Sequence, residues 1–252
     1  MNSAAFFDTV RPHFGGALTQ SQVDGMNATI KGFTLYGDGD INKLAYALAT
    51  EKRETGGEMQ PIYERGSKAY FKKYEGRADL GNTLQGDGYR FRGRGKVQIT
   101  GRRNYAFWSK RLGIDMVSNP DLALDPEIAV RLLVEGALLG VYTGKGLKDY
   151  IDNIDEDDAE DLREYIAARR VINGTDHAEE IGKSALIFEK ALRAAGALAP
   201  TPPAYQPGDT DEPSQPVIVP IGPEDSAPPL VTISFVVIVI LLLITAVYFL
   251  FA

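Results

Sequence analysis

The last 23 residues of the sequence, 230–252, contain no charged side chain and consist mainly of Leu, Ile, Val and Phe. A helix needs roughly 20 residues to cross the hydrocarbon core of a bilayer, which is about 30 Å thick. Apolar residues on every face of a helix are typical of a membrane span or of a buried core helix. A proline-rich segment precedes this one, so we expect a single transmembrane helix that anchors the chain.

Residues 197–229, which precede that predicted helix, differ in composition from the rest of the chain. Ten of the fourteen prolines lie within residues 199–229, and every charged residue beyond Arg193 is acidic. A segment with so few apolar residues cannot bury enough surface to offset the entropy that ordering costs. We predict a disordered acidic linker, with a reach of about 3.1 Å per residue where it adopts polyproline II.

Residues 1–196 are expected to form the folded part, and their charges nearly cancel. They carry 27 basic and 29 acidic side chains, a balance that argues against a nucleic-acid-binding domain. The sequence has no cysteine, which excludes disulfides and thiolate chemistry. The two histidines, His13 and His177, are too far apart in sequence to form a helical pair of zinc ligands. We therefore expect no metal and no cofactor.

An acidic run from Asp152 to Asp161 is the remaining candidate for a metal site. An EF-hand loop requires glycine at its sixth position, and no start within this run places a glycine there. Acidic side chains are favoured at the N-terminus of a helix, where they interact with the helix dipole. The run therefore predicts the start of a helix.

Capping residues followed by apolar side chains at helical spacing occur along much of the folded part. Thr19 and Gln22 form a capping box, Asp40 can cap the helix that follows it, and Asp125 precedes a proline at the first helical position. The apolar spacing predicts helices over residues 19–33, 41–55, 126–139, 162–172 and 181–192.

Alternating side chains from Tyr89 to Thr100, around Gly93 and Gly95, predict a short β-hairpin. The predicted fold class is therefore mainly α with a small β element.

Two glutamates stand out from their surroundings. Glu54 lies at the end of the helix predicted over 41–55, about 150° from the centre of its apolar stripe, so we expect it to face away from the core. Glu75 lies among three cations, which favour its ionised form. A solvated surface residue and a surface ion pair are the ordinary interpretations. One protonated and one charged carboxyl facing each other would instead be the machinery of glycoside hydrolysis.

The sequence around both glutamates resembles the glycoside hydrolase family 19 domain. The strings that carry the resemblance are ALATEKRETGGEMQPI at 47–62, YFKKYEGR at 70–77 and GDGYRFRGRGKVQITGRRNY at 86–105. They are closer to the phage and bacterial endolysin branch of the family than to plant chitinases. The resemblance implies a lysozyme-like helical domain of two lobes with a small β-hairpin. The chain would then comprise a catalytic domain at 1–196, a linker at 197–229 and a transmembrane helix at 230–252.

The resemblance also implies roles for individual residues. Glu54 matches the general acid, Glu75 the base that activates water in an inverting displacement, and Thr100 the residue that helps to hold that water. Inverting enzymes place their two carboxyl groups about 6.5–9.5 Å apart. The positions that match sugar-binding residues of the cleft are Gln98, Asn104, Tyr105 and Asn173.

Two positions depart from the family pattern. Arg53 replaces the histidine that commonly precedes the acid, and a guanidinium there would favour the ionised form of Glu54 unless it points elsewhere. Glu180 lies where plant members have an arginine. A chain that binds sugar without cleaving it is therefore an alternative.

The stretch from Arg90 to Arg111 concentrates eight basic side chains. Peptidoglycan carries peptide carboxylates that such a stretch could bind, whereas neutral chitin gains nothing from it. We therefore expect a lysozyme-like enzyme that acts on the β-1,4 bonds of peptidoglycan. A chitinase on the same fold and a non-catalytic, membrane-tethered wall-binding protein are the alternatives, and no nucleic-acid partner is expected.

The predicted location is a bacterial inner membrane or the membrane of a phage virion, with residues 230–252 as the anchor. The first 16 residues have neither the basic start nor the apolar run of a secretory signal peptide. The acidic linker gives the positive-inside rule little to act on, so the sequence leaves open which side of the membrane bears the enzyme. It also leaves the oligomeric state open.

Overall fold

The computed structural model describes residues 1–152 and 157–197. Within these residues the chain forms eight α-helices and one two-stranded antiparallel sheet. The helices are α1 Ser3–Val10, α2 Gln20–Tyr36, α3 Ile41–Glu54, α4 Asp87–Arg90, α5 Arg102–Leu112, α6 Pro126–Leu139, α7 Asp158–Ala168 and α8 Ala178–Ala194. The strands are β1 Ile62–Tyr63 and β2 Arg94–Gly95. The expectation of a mainly helical fold with a small β element is confirmed.

The predicted starts of α2, α3 and α6 are confirmed by their capping contacts, whereas α7 and α8 begin a few residues before the predicted positions. The backbone N–H of Gln22 donates to the Thr19 hydroxyl at 3.2 Å, and the backbone N–H of Thr19 donates to the Gln22 side chain at 2.9 Å. Asp40 accepts from the first backbone amides of α3, and Asp125 does the same for α6. Each cap satisfies amides that have no partner inside the helix.

Helix α3 lies at the centre of the main core. It packs against α8, while α2 packs against α6 and α7 against α8. The large buried side chains of this core include Tyr46, Leu48, Trp108, Leu132, Tyr165, Phe188 and Leu192. A separate small cluster lies under the segment that carries Glu75 and consists of Phe71, Tyr74 and Leu80. Glu54 therefore lies on a helix of the main core, and Glu75 lies on the segment that covers the small cluster.

The β element differs from the predicted hairpin. Strand β2 pairs with β1, with Ile62 opposite Gly95 and Tyr63 opposite Arg94. The predicted region contributes only one bridge of its own, between Arg94 and Ile99, and Tyr89 belongs to α4. The alternating pattern alone predicts pairing within residues 89–100. The actual partner, β1, lies about 30 residues earlier and is only two residues long, so it has no periodicity that would mark it as a strand.

Helices α1 and α5 were not predicted from the sequence. Helix α5 contains Trp108, which is fully buried, among basic residues that conceal the apolar spacing. Helix α7 ends at Ala168, and one turn of 3-10 helix, Arg169–Val171, continues it. The acidic run does begin a helix, since Asp157 caps α7. Residues 153–156 of that run lie outside the described residues.

The predicted linker and transmembrane helix both lie beyond residue 197, outside the part of the chain that the structure describes. Within residues 1–152 and 157–197, no helix combines the length and the apolar composition that crossing a membrane requires.

Candidate active site

Glu54 is the last residue of α3, and a buried arginine holds its carboxylate. Arg169 donates from Nη1 to Oε1 of Glu54 at 2.7 Å, and the two side chains are 3% and 18% exposed. Arg169 also donates from Nε to the carbonyl oxygen of Asp176 at 2.9 Å, which fixes the guanidinium. The second oxygen of Glu54, Oε2, accepts no hydrogen bond from the described residues and is available to a ligand.

Arg53 does not point towards Glu54. Its guanidinium donates to Nε2 of His177 at 2.5 Å and lies 3.7 Å from the carboxylate of Glu180. The departures at positions 53 and 180 are thus partners of each other. The cation that contacts Glu54 is Arg169, which lies in the same segment as the predicted sugar-binding residue Asn173.

Two buried hydroxyl groups lie on the same face of α3 as Glu54. Tyr46 and Thr50 precede it by two turns and by one turn, and both side chains are almost fully buried. Neither hydroxyl has a hydrogen-bond partner among the described residues. Burial raises the pKa of Tyr46 above its ordinary value, and the nearby Arg169 opposes that shift. The phenol is therefore neutral, and α3 brings no further charge to Glu54 from this side.

Glu75 follows a turn of 3-10 helix, Tyr70–Tyr74, and its side chain is exposed. Oε1 accepts from the backbone N–H of Gly86 at 2.5 Å, and Oε2 accepts from that of Gly88 at 2.9 Å. These amides lie at the start of α4, so Glu75 ties the loop before α4 to the 3-10 turn. Among the described residues, the hydrogen-bond partners of Glu75 are Gly86 and Gly88, and the partner of Glu54 is Arg169.

Gln98 and Thr100 lie in the turn after β2. Gln98 has a positive φ of 54°, and its Nε2 donates to the carbonyl oxygens of Ile62 and Gly95 at 3.1 and 2.9 Å. Thr100 is buried and donates from Oγ1 to the carbonyl oxygen of Gln98 at 2.9 Å. The two predicted site residues therefore support each other, and Gln98 joins β1 to β2.

Asn104 and Tyr105 are buried in α5. Asn104 donates to the carbonyl oxygen of Thr100 at 2.7 Å. The Tyr105 hydroxyl donates to the carbonyl oxygen of Arg92 at 3.0 Å and accepts from Arg94 at 3.1 Å. Burial raises the pKa of Tyr105 to about 12. Both side chains hold the turn that carries Gln98, and direct contact with sugar stays a prediction for them.

Asn173 lies in the segment that carries Arg169. Its backbone N–H donates to the carbonyl oxygen of Arg169 at 3.0 Å, and its side chain is 7% exposed. Asn173 therefore lies next to Arg169, the residue that contacts Glu54. Both are far in sequence from the turn that carries Gln98.

Glu64 is a carboxylate that the sequence analysis did not consider. It follows β1 directly, is 11% exposed, and accepts from the Tyr74 hydroxyl at 2.8 Å and from the backbone N–H of Gly93 at 2.9 Å. A Cβ built on Gly93 would lie 3.0 Å from the Gln98 side-chain oxygen and 3.1 Å from Oε2 of Glu64. Glu64 and Gln98 are therefore neighbours, a proximity that a two-residue strand did not reveal in the sequence.

A buried ion pair connects this turn with α3. Lys96 and Glu51 are both fully buried and hydrogen-bonded to each other. Thr29 donates to the second oxygen of Glu51 at 2.6 Å, and Lys96 also reaches the carbonyl oxygen of Met59 at 3.2 Å. Burial raises the pKa of Glu51, and Lys96 and Thr29 oppose that shift. Glu51 and Glu54 both lie in the last turn of α3, so this ion pair joins the segment of Gln98 to the helix of Glu54.

Half of the basic stretch is engaged in ion pairs within the fold. Ion pairs already engage four of its side chains, which are Arg94 with Asp121, Lys96 with Glu51, Arg102 with Asp87, and Arg111 with Glu135. Binding of peptide carboxylates by the rest of the stretch stays a prediction. The acidic partners come from distant parts of the sequence, which is why the stretch looked unbalanced.

Arg92 is the member of the stretch that lies among exposed aromatic rings. Its guanidinium carbon is 4.8 Å from the ring centre of Tyr63 and 4.2 Å from that of Tyr89. These tyrosines are 41% and 40% exposed. Tyr63 immediately precedes Glu64 in the sequence, so this aromatic surface, with a cation between its rings, includes the end of the strand that leads to that carboxylate.

Comparisons with known proteins give one relative and a shared fold. Over 61 residues the chain is 41% identical to a glycosyl hydrolase family 19 domain-containing protein of Haemophilus influenzae, a match that covers 24% of this chain and 30% of that protein. The matched region is thus about a third of the relative's length. No family model matches the chain.

The fold is similar to that of chitinase C from Streptomyces griseus HUT6037. The TM-score is 0.50, with 20% identity, and the alignment covers 78% of this chain and 77% of the chitinase. At this level of identity the similarity concerns the fold. It agrees with the helical architecture that the resemblance to family 19 implies.

Proposed function

We propose that the protein is a glycoside hydrolase that cleaves β-1,4 bonds of peptidoglycan by inverting displacement. The observation that carries this proposal is the carboxylate of Glu54, which is held on one oxygen by buried Arg169 and open on the other. The family 19 relative and the fold shared with a chitinase support the reaction class.

In this mechanism Glu54 donates a proton from Oε2 to the glycosidic oxygen as the bond to the anomeric carbon breaks. A water adds to that carbon from the opposite face, and a second carboxylate takes the proton of the water. The contact of Arg169 with Oε1 orients the carboxyl and leaves Oε2 for the proton that is transferred. The ion pair therefore positions the acid.

Glu64 and Glu75 are the two candidates for the second carboxylate. The resemblance points to Glu75, whose oxygens both accept backbone amides and whose contacts stabilise a loop. Glu64 lies beside Gln98 and on the strand that pairs with β2, which Lys96 connects to α3. We assign the base to Glu64, because these contacts place it in the part of the fold that is joined to the helix of Glu54.

The surface formed by Tyr63, Tyr89 and Arg92 favours peptidoglycan over chitin. Exposed aromatic rings stack on the apolar faces of sugars, and this property suits both polymers. The guanidinium between the rings adds a charge that attracts the carboxylates of the wall peptides, and a neutral polymer offers it no partner. Arg92 lies between two exposed tyrosine rings and is therefore placed to do this.

The test compares substrates and variants of the full-length protein, purified in detergent. We expect wild type to release reducing ends from purified sacculi faster than from chitin hexamers. Glu54→Gln should lose most of this activity and keep its thermal unfolding midpoint. Glu58→Gln is the matched control, because Glu58 is an exposed glutamate just beyond the end of α3 and its variant should remain active.

Three other results would each contradict part of the proposal. Cleavage of chitin alone would make the protein a chitinase. Binding to sacculi without turnover, equal in wild type and Glu54→Gln, would make it a wall-binding protein. Equal loss in Glu54→Gln and Glu58→Gln would remove Glu54 from its role as acid.

We further propose that residues 230–252 tether the enzyme to a membrane, as an endolysin of a bacterial inner membrane or of a phage virion membrane. The uncharged length of this segment supports the tether. The full chain should sediment with membranes after a carbonate wash, and deletion of 230–252 should release it. Recovery of the full chain in the wash would contradict the tether. Because the chain has no cysteine, labelling of Ser3→Cys with an impermeant maleimide in spheroplasts would then report the side that bears the enzyme.

A further inference from the structure

A cavity lies between α3 and α8, and Glu54 is not among the residues that line it. Its volume is about 340 Å³, near the lower limit for pockets that bind small molecules. Buried Ala49 and Ile181 form an apolar floor. A Cβ built on Gly56 or Gly57, at the rim, would meet no atom within 4 Å. The cavity is therefore open on that side and suits a ligand of one or two residues.

The geometry of α3 separates this cavity from the site of Glu54. Residues of a helix are rotated by about 100° from one to the next. Ala49, Lys52 and Arg53 therefore share one face of α3, and Thr50 and Glu54 lie on the adjacent face. Consecutive Cα atoms are about 3.8 Å apart, so the cavity begins one residue away from the proposed acid.

Lys52 provides the unusual feature of this cavity. Its ammonium is half-buried and makes neither a hydrogen bond nor an ion pair with any residue that the structure describes. Burial lowers the pKa of Lys52, the nearby carboxylate of Glu180 opposes that shift, and the charge of Arg53 adds to it. The contact that remains is the ring of Phe14, whose centre is 5.4 Å from Nζ, and a ring face accepts no ordinary hydrogen bond.

The C-terminus of α3 does not supply the missing acceptors. A helix C-terminus favours a nearby cation, but backbone amides already occupy its last carbonyl oxygens. The N–H groups of Thr55, Gly56 and Gly57 donate to the carbonyls of residues 51, 53 and 52. The three donors of the Lys52 ammonium are left for solvent or for an anionic ligand.

The other polar groups of the cavity are engaged with each other. Arg53 lies 3.7 Å from Glu180, which is on the rim. Nε2 of His13 and the hydroxyl of Ser184 are hydrogen-bonded at 2.8 Å. Burial lowers the pKa of His13 to about 4, so its ring is neutral at pH 7. The cavity thus has a net positive charge, with the unpaired ammonium of Lys52 beside an apolar floor.

We infer that this cavity binds the C-terminal carboxylate of a short peptide that ends in a small apolar residue, with the carboxylate on Lys52 and the side chain on Ala49 and Ile181. The stem peptides of peptidoglycan end in this way, in alanine, and branch from the glycan strand that the active site would cleave. The inference rests on the proposed function. It implies that the enzyme recognises the peptide as well as the sugar.

The experiment compares intact peptidoglycan with glycan strands from which an amidase has removed the peptides. For Lys52→Gln we expect the ratio of kcat/KM on intact to stripped substrate to fall about tenfold, mainly through KM, since a charge-assisted hydrogen bond is lost. Lys52→Arg keeps the charge and should retain most of the ratio. Lys31→Gln removes an exposed lysine of α2 and should leave the ratio unchanged.

Binding of acetyl-D-alanyl-D-alanine and of its carboxamide to the full-length protein separates this inference from the proposed function. The acid should bind wild type more tightly than the amide does, and Lys52→Gln should abolish the difference. Equal binding of acid and amide, with an unchanged kcat/KM ratio, would overturn the inference while peptidoglycan cleavage by wild type stands. Lys52-dependent binding without cleavage by wild type would instead support the cavity and contradict the proposed hydrolase.

Discussion

The regions around Glu54 and Glu75 hold their carboxylates by different means. Glu54 lies on the main core, and its partner, Arg169, is 115 residues away in sequence. Glu75 lies over a cluster of three buried residues, and its partners are backbone amides 11 and 13 residues away. The first carboxylate is placed by tertiary packing and keeps an oxygen open to a ligand. The second stabilises a local loop with both oxygens. A glutamate in a motif that resembles family 19 can therefore be held either by a distant side chain or by nearby backbone amides.

The largest effect is expected where the region of Gln98 is joined to α3. Lys96→Met leaves Glu51 buried without its cation, so we expect a loss of about 3–5 kcal/mol in the free energy of unfolding. The double variant Lys96→Met/Glu51→Gln removes both charges and should lose less. Urea denaturation measures both values.

The matched control for that pair is Lys183→Met, which breaks the exposed ion pair with Glu179 and should change stability by less than about 1 kcal/mol. If Lys96→Met were no more destabilising than Lys183→Met, the two regions would not depend on the buried pair for their connection.

The next effect distinguishes the two candidate bases. Glu64→Gln should lower kcat by about 10²-fold or more, because the water then lacks its proton acceptor. Glu75→Gln weakens the contacts to two amides and should lower kcat by less than tenfold, with a loss of about 1 kcal/mol in stability. Initial rates on sacculi and thermal unfolding of both variants provide the measurement. The reverse order of the two rates would return the role of base to Glu75, as the resemblance implies.

A smaller effect is expected from the cation that holds Glu54. Arg169→Met removes the contact that orients the Glu54 carboxyl, so kcat on sacculi should fall about tenfold with little change in KM. The matched variant Arg53→Met removes the neighbouring guanidinium, which points to His177, and should leave kcat unchanged. A kcat that falls with Arg53→Met and not with Arg169→Met would contradict the geometry.

The helices could be predicted from the sequence where capping and apolar spacing coincide, as in α2, α3 and α6. The pairing of β1 with β2 could not, because a two-residue strand has no periodicity. The same applies to the site. Glu54 could be predicted from its motif. Its partner Arg169 lies 115 residues away in sequence, and Glu64 accepts from Gly93, which lies 29 residues away, so neither contact is visible in the local sequence. Charge counts misled for the same reason, since Arg94 and Arg111 are neutralised by acids from other segments.

The smallest effect concerns His13, which lies in the cavity between α3 and α8. Its pKa is lowered by burial from 6.5 to about 4, so the unfolded chain binds a proton below pH 6.5 that the folded chain does not. Stability should therefore fall as the pH drops from about 6.5 to about 4. For a half-buried ring we expect a contribution of about 1 kcal/mol. His13→Gln removes this contribution, so the stability of wild type relative to the variant should decline over that range. A pH-independent difference would mean that His13 is protonated as readily in the folded chain, and that the contact with Ser184 does not keep it neutral.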